Sequence, residues 1–184
     1  MNCTTASLLH HKEGDKQSRK AVQQEKGGQG KIIFLVSACL LGENCKYSGG
    51  SNRNEDVILW KNRLEREKRA EFIPICPEVM GGLPTPRVPA EINGARVITR
   101  DGRDVTAEYR EGAEKALMLA KQYGCQAAVL KERSPSCGSG AVYDGTFSGI
   151  LTEGDGITAS LLKAHGVIVV GESQAEKLLE QLQI

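Results

Sequence analysis

Aromatic side chains are scarce in this chain of 184 residues, at 4% of the sequence. Proteins that bind single-stranded nucleic acid stack the bases on aromatic side chains, so such a platform is not expected here. The formal net charge is only +1, and an excess of Lys and Arg is the usual mark of a nucleic-acid surface. Both deficits argue against a dedicated nucleic-acid surface.

Long apolar runs are missing as well. The sequence holds no stretch of 18 or more apolar residues and therefore predicts no membrane-spanning helix. The polar first 30 residues do not have the pattern of a secretory signal. We expect a cytoplasmic protein without a membrane partner, in which clustered cysteines bind metal or do chemistry more often than they form disulfides.

Two familiar motifs are also lacking. None of the six cysteines forms a C-x-x-C pair, which structural zinc sites and thiol–disulfide enzymes usually show. The glycine stretch around Ser48 resembles an anion-binding loop, but no Gly-Lys-Ser/Thr follows it, so it is not a P-loop. These absences disfavour a zinc site, disulfide exchange and an ATP-dependent reaction.

The pattern of apolar residues divides the chain in two. Residues 1–30 lack sustained periodicity and are interpreted as a flexible polar N-terminal extension. From residue 31 onward, β-rich runs alternate with amphipathic helical patterns. The predicted strands are 31–37, 71–76, 126–131 and 167–170, and the predicted helices are 54–69, 107–123, 157–165 and 174–182. Strands that alternate with helices predict a single α/β domain over residues 31–184. Its sheet is Rossmann-like, mostly parallel and of about four main strands, with helices on both faces.

Finer features follow from turn and cap residues. We expect a small hairpin over residues 95–105 with its turn at Asp101-Gly102, and no regular structure over the proline- and glycine-rich stretch 77–94. Thr106 and Ser173 are predicted to cap the helices that follow them.

Three cysteines share one context. Cys39, Cys76 and Cys137 each lie close to the point where an apolar run gives way to a loop rich in Gly, Pro or Ser. In open α/β folds the carboxyl ends of parallel strands form the ligand-binding edge, so we expect the three thiols to converge there. Three convergent thiolates can hold a metal centre and leave one coordination position open.

Two further cysteines of the folded part, Cys45 and Cys125, lie in different contexts. Cys125 begins a strand at the opposite edge and is predicted to be a packing residue. Cys45 is either a fourth ligand or a loop residue that lines the site. An iron–sulfur cluster needs only thiolates and tolerates wide spacing, and a zinc site remains the alternative.

Polar residues near the same edge supply candidate chemistry. Glu78 follows Cys76 by two residues and is a candidate general acid or base. Arginine suits the capture of phosphate or carboxylate groups, and serine hydroxyls can orient a substrate or complete a turn. The residues considered for these roles are Ser48, Arg87, Lys131, Ser134 and Ser136.

The order of these segments resembles the thiouracil desulfidase family, long described as a domain of unknown function. The matching segments are VSACLLG at 36–42, CPE at 76–78, GGLPTPR at 81–87, DVT at 104–106, KERSPSCG at 131–138 and YDGTF at 143–147. The resemblance implies a 4Fe-4S cluster held by Cys39, Cys76 and Cys137, with Glu78 and Ser134 as catalytic residues. In relatives a residue other than cysteine stands in place of Cys45, which argues against Cys45 as a ligand.

The same resemblance implies an activity. Family members remove sulfur from thiolated uracil, so the expected partner is a small thiolated pyrimidine, 4-thiouracil or 4-thiouridine monophosphate. Hydrolysis would release the uracil species and hydrogen sulfide. Ser48 stands where relatives often carry aspartate, which bears on substrate selection. The alternatives are a non-catalytic zinc or iron–sulfur regulatory module and another sulfur-transfer enzyme, such as one that inserts sulfur into tRNA.

Overall fold

The computed structural model describes residues 30–182, so the extension predicted for residues 1–30 lies outside the described residues except for Gly30. The strands are β1 (Ile32–Ser37), β2 (Ala70–Ile75), β3 (Ala90–Asn93), β4 (Arg96–Thr99), β5 (Ala127–Leu130), β6 (Ala141–Tyr143), β7 (Leu151–Glu153) and β8 (Ile168–Gly171). The α-helices are α1 (Glu55–Arg66), α2 (Pro77–Met80), α3 (Thr106–Tyr123), α4 (Ile157–Ala164) and α5 (Ala175–Gln181). Short 3-10 helices span Ala38–Leu41 and Glu172–Gln174.

The main sheet has four parallel strands in the order β2-β1-β5-β8. Its strands coincide closely with the four predicted apolar runs, and the predicted α/β fold is confirmed. Pro74 lies in the edge strand β2, where a residue without an N–H is tolerated.

Alternate residues of the strands feed two cores, one on each face of the sheet. Phe34 and Val36 of β1 pack with Trp60 of α1 and with α5. Leu35, between them in the chain, points to the other face and packs with α3 and α4. The sheet therefore carries helices on both faces, as predicted, and its strand ends are held in fixed positions.

The small hairpin differs from the prediction. It is formed by β3 and β4, and the left-handed Gly94 lies in its turn. The predicted turn at Asp101-Gly102 also forms, but the segment after it contributes only one isolated bridge, between Ile98 and Asp104. The stretch 77–94 was predicted to be irregular, yet it contains α2, which begins with a proline at its first position, and β3, whose four residues beyond the last proline all pair with β4.

Two predicted helix caps were wrong. Val105 is the N-cap of α3, and the Thr106 hydroxyl oxygen accepts a hydrogen bond from the Val97 N–H at 2.9 Å. Asp104 accepts hydrogen bonds from the N–H and the hydroxyl of Thr106. Ser173 lies in a 3-10 turn, and its N–H and hydroxyl both donate to Glu132.

Helices α2 and α3 touch through two glycines. A Cβ added at Gly81 would lie 1.9 Å from the carbonyl oxygen of Glu108, and one added at Gly112 would lie 1.9 Å from that of Pro77. No side chain fits at either point, so the two backbones meet directly. This contact fixes α2 and the residues at its amino end.

A second hairpin, β6–β7, was not predicted: β6 lies in the loop expected at 132–149, and β7 lies just beyond it. Its connecting residues reach back to the first hairpin, because buried Glu91 accepts hydrogen bonds from the N–H groups of Gly145 and Phe147. Within the described part of the chain, no helix is both long and apolar enough to cross a membrane.

Candidate functional site

A cavity of about 570 Å³ opens beside the carboxyl ends of β1, β2 and β5. The strand order places β2 on one side of β1 and β5 on the other, so the cavity lies where the chain switches direction across the sheet. Open α/β folds bind their ligands at such a point because the loops diverge and leave a crevice. The thiols of Cys39, Cys45, Cys76 and Cys137 all line this cavity.

Each of the three predicted ligand cysteines is positioned by a separate strand. Cys39 lies in the 3-10 helix that follows β1, and Cys76 is the N-cap of α2 directly after β2. Cys137 lies in the loop after β5, where the N–H of Gly138 donates to the carbonyl of Ser134 at 2.8 Å. The sheet therefore brings together three thiols that are far apart in the sequence.

The thiols differ in how readily they ionise. A hydrogen bond from Cys45 lowers the pKa of Cys39, and a similar contact lowers the pKa of Cys76 to about 7. Burial, with a smaller contribution from the nearby charges of Glu78, Cys39 and Cys76, raises the pKa of Cys137 to about 12, against the opposing effect of a hydrogen bond with Ser37. The thiolate is the form that binds metal. Cys39 and Cys76 therefore ionise more readily, whereas Cys137 needs a cation nearby to form its thiolate.

The donor set of this cavity fits an iron–sulfur cluster. The metal-binding side chains at its base are soft thiols, which select zinc, copper(I) or iron–sulfur clusters. Within residues 30–182, no three His, Cys, Asp or Glu side chains are grouped tightly enough to surround one ion. A cluster of four irons is wider than a single ion and holds its thiolates farther apart, which matches thiols spread over three strand ends.

Glu78 and Arg87 form a largely buried ion pair in the cavity wall. Arg87 donates from Nε to Glu78 Oε2 at 2.8 Å, and its Nη2 lies 2.6 Å from the same oxygen. The exposed fractions of the two side chains are 15% for Glu78 and 7% for Arg87. Arg87 also donates to the carbonyl of Pro84 at 3.1 Å and to that of Cys45 at 3.0 Å. The arginine thus locks one oxygen of the carboxylate and leaves Oε1 facing the cavity side.

Ser134 lies against that second oxygen. Its hydroxyl donates to Glu78 Oε1 at 3.4 Å and accepts from the N–H groups of Ser136 and Cys137, each at 3.1 Å. The hydroxyl therefore connects the carboxylate to the loop that carries a candidate ligand cysteine. The structure brings both predicted catalytic residues to the cavity.

The predicted substrate-contacting residues are only partly found there. Arg87 and Lys131 line the cavity, but Arg87 is paired with Glu78 and the ammonium of Lys131 is paired with Glu172. Ser48 does not line the cavity and is exposed in a tight turn. Ser136 is fully buried, and its hydroxyl shares a 2.9 Å hydrogen bond with Thr158 instead of facing the cavity.

Several cavity residues were not anticipated from the sequence. Tyr109 is buried beside Glu78, and burial followed by that negative charge raises its pKa, so its phenol stays neutral. The sequence signal for Tyr109 was a tyrosine on the buried face of α3, where phenylalanine would fill the same space without a hydroxyl that needs a partner. At the mouth, Lys46, Arg100 and Arg133 add positive charge, and the Arg100 guanidinium lies 5.4 Å from the centre of the Phe147 ring.

Comparison with known proteins bears directly on this site. The family described as 2-thiouracil desulfurase matches residues 34–174, which include every cysteine of the cavity. The chain belongs to the 2-thiouracil desulfurase family. The family resemblance inferred from the sequence is thereby confirmed.

Two relatives are similar to this member of the 2-thiouracil desulfurase family along most of its chain. The uncharacterized protein YbbK of Bacillus subtilis (strain 168) is 44% identical over 157 residues, which cover 80% of this chain and all of YbbK. A solved structure, that of the [4Fe-4S]-dependent thiouracil desulfidase TudS, is 49% identical. It superposes with a TM-score of 0.75 over 84% of this chain and 99% of TudS. The similarity thus spans the described domain.

Proposed function

We propose that this protein is a 4Fe-4S-dependent thiouracil desulfidase. The observation that carries the proposal is the convergence of the Cys39, Cys76 and Cys137 thiols on one cavity beside the Glu78–Ser134 pair. The family match and the likeness to TudS support it. The reaction is a hydrolysis, in which a thiocarbonyl and water give a carbonyl and hydrogen sulfide without a net redox change.

Cys39, Cys76 and Cys137 would hold the cluster. When bound, the cluster supplies a Lewis-acidic iron for the substrate sulfur, because three thiolates leave one iron without a protein ligand. The lowered pKa values of Cys39 and Cys76 favour thiolates before iron arrives.

Glu78 acts as the general base in this proposal. Its Oε2 is held by Arg87, so Oε1 is the atom placed to take a proton from the attacking water. Ser134 holds Oε1 in position by donating a hydrogen bond to it. Once Oε1 has taken the proton from the water, the Ser134 hydroxyl can donate to the substrate instead. Tyr109, neutral beside the carboxylate, gives the site a further O–H group without adding charge.

The mouth of the cavity favours an anionic substrate over a free base. Lys46, Arg100 and Arg133 line it, and none of the three pairs with a carboxylate of the described residues. A 5′-monophosphate would supply a negatively charged partner for these three cations. We therefore propose 4-thiouridine monophosphate as a better substrate than 4-thiouracil, with sulfur at the 4 position as the finer expectation and a cytoplasmic location as a further one.

The first experiment measures iron, sulfide and zinc in protein purified without oxygen. About four irons and four sulfides per chain support the cluster, and the loss of thiocarbonyl absorbance from thiouracil compounds then measures turnover. One zinc and no sulfide would contradict the proposal and favour the zinc regulatory module.

Glu78→Gln tests the assignment of the base. It should keep the cluster spectrum and slow turnover by about 10²-fold or more, because the amide cannot accept the proton. Glu114→Gln is the matched control on an exposed position of α3. Unchanged turnover in Glu78→Gln would remove Glu78 from the mechanism.

Substrate size is tested by comparing 4-thiouridine monophosphate, 4-thiouracil and 2-thiouracil. Arg133→Gln should raise KM for the nucleotide about 10-fold and leave KM for the free bases unchanged, since loss of one charge–phosphate contact is worth about 1.4 kcal/mol. Exposed Arg66→Gln on α1 is the control. Equal KM changes for base and nucleotide would contradict a phosphate-binding role.

A further inference from the structure

The fourth thiol of the cavity, that of Cys45, is not used by the reaction described above. It lies in the loop beyond the 3-10 helix that follows β1, it is 9% exposed, and it contacts the thiols of both Cys39 and Cys76. A cysteine that only fills space packs against carbon, as Cys125 does in the core on the other face of the sheet. Cys45 also packs with the core, as the candidate ligand Cys39 does, but unlike Cys125 it lines the cavity together with the three candidate ligands.

The backbone around Cys45 is held firmly. Its N–H donates to the carbonyl of Glu43 at 2.9 Å, and its own carbonyl accepts from Arg87 Nη2 at 3.0 Å. The thiol of Cys76 also points at this carbonyl, with Sγ 3.7 Å from the oxygen. Lys46 continues the turn through a 3.1 Å hydrogen bond to Gly50. Arg87 thus fixes Cys45 and Glu78 together, and the thiol keeps a defined place at the cavity.

We propose that Cys45 is a fourth, exchangeable thiolate ligand of the cluster, bound when substrate is absent and replaced by the thiocarbonyl sulfur of the substrate. This inference rests on the proposed function, because it requires a cluster held by the other three cysteines. Relatives with another residue in place of Cys45 would hold the cluster by those three alone, so the exchangeable ligand would be an addition that such relatives lack. In the exchange, the bond between iron and Cys45 breaks with its electron pair left on sulfur, and a bond from iron to the substrate sulfur forms. The Cys45 sulfur then takes a proton from water, and no electron is transferred.

A ligand in that position would protect the cluster between turnovers. The iron without a fixed protein ligand is held by the cluster sulfides alone, so it is the first to leave when the cluster is oxidised. A fourth thiolate adds one bond to this iron and excludes water from it. The rate at which one iron is lost on oxidation is therefore the quantity that reports on Cys45, independently of turnover.

The test compares Cys45→Ala and Cys45→Ser with Cys125→Ala, all purified without oxygen. If wild-type protein holds no 4Fe-4S cluster, the proposed function fails before Cys45 is tested. With the cluster present, ferricyanide is added and the paramagnetic 3Fe-4S signal is followed by electron paramagnetic resonance. We expect Cys45→Ala to retain about four irons yet form the 3Fe-4S signal at least about 10-fold faster than wild type. Cys45→Ser should be intermediate, and Cys125→Ala should match wild type.

Two results would overturn the inference. Oxidative iron loss at the wild-type rate in Cys45→Ala would make Cys45 a packing residue. Failure of Cys45→Ala to hold the cluster, with a native circular dichroism spectrum, would make Cys45 a permanent ligand and not an exchangeable one. A second measurement applies if Cys45→Ala misfolds. In Cys45→Ser, addition of 4-thiouracil should change the spectrum of the reduced cluster less than it does in wild type. An equal change in the two proteins would also contradict the exchange.

Discussion

Gly112→Ala is a small substitution with a large expected effect. The new Cβ would lie 1.9 Å from the carbonyl oxygen of Pro77, whereas ordinary contact begins near 3.4 Å. The shortfall is about 1.5 Å, and the atom in the way is backbone, which cannot rotate aside as a side chain can. Helix α2 must therefore move away from α3, and it carries Cys76 at its N-cap and Glu78 in its first turn.

The expected stability change combines two opposing effects. Overpacking costs about 1–3 kcal/mol, and contact with backbone places this site near the upper value. Alanine improves helix propensity over glycine by about 1 kcal/mol, which leaves a net loss of about 2 kcal/mol. For a domain of this size that loss lowers Tm by about 4–8 °C. A displacement of about 1 Å at a catalytic group can reduce turnover by about 10²-fold.

Thermal unfolding and thiouracil turnover are measured on protein purified without oxygen. Glu114→Ala, at an exposed position of the same helix, is the control and should change neither quantity appreciably. A Gly112→Ala variant as stable as wild type would refute the reasoning, because it would mean that the two helices separate at no cost. Reduced stability with full turnover would refute only the link between helix position and Glu78.

Three further predictions follow from the same geometry. Arg87→Ala leaves Glu78 buried without its partner and should lower the free energy of unfolding, measured in urea, by about 3–5 kcal/mol. Arg87→Lys should lower it less. Equal stability of Arg87→Ala and wild type would contradict the buried pair. Hydrogen bonds from Thr106 lower the pKa of Asp104, so its stabilising effect is present above the ordinary pKa of aspartate and is lost as pH falls through the lowered value. Asp104→Ala should therefore lower Tm at pH 7 but not under strongly acidic conditions, and a Tm difference that persists in acid would argue against a stabilising role of these hydrogen bonds. Cys137→Ala should lose most of its iron while Cys125→Ala keeps it, and full iron retention by Cys137→Ala would exclude Cys137 as a ligand.

The main sheet and the convergence of the cysteines could be predicted because both depend on local pattern. Continuous apolar runs mark buried parallel strands, and a residue just beyond such a run lies at the carboxyl edge wherever the strand falls in the sheet. Cys39 and Cys76 could be placed in this way without knowledge of strand order. The short hairpins could be predicted only in part: one was expected near β4, but its partner strand β3 and the β6–β7 hairpin were missed, since three- and four-residue strands carry little periodicity.

The direction of individual loop side chains could not be predicted from the sequence. Ser136 lies one residue from Cys137, yet it turns into the core because Thr158, far along the chain, offers a hydroxyl. Lys131 meets Glu172 in the same manner. Both partners are brought close only by tertiary packing. The role of Tyr109 escaped notice because a buried helical tyrosine has the same periodicity whether its hydroxyl meets a solvent channel or a carboxylate.

The placement of Cys39, Cys76 and Cys137 at the ends of three different strands has a consequence for assembly. A cluster held by them would join β1, β2 and β5 as a cross-link joins distant points of a chain. The entropy that this cross-link removes from the unfolded chain is greatest for the longest loop that it closes. Its insertion would have to await the synthesis of Cys137 and the pairing of these strands. The edge strand β8 pairs with β5 alone and supplies no thiol to the cavity. Iron uptake in a ribosome-bound chain would thus report the moment at which the central three strands have formed.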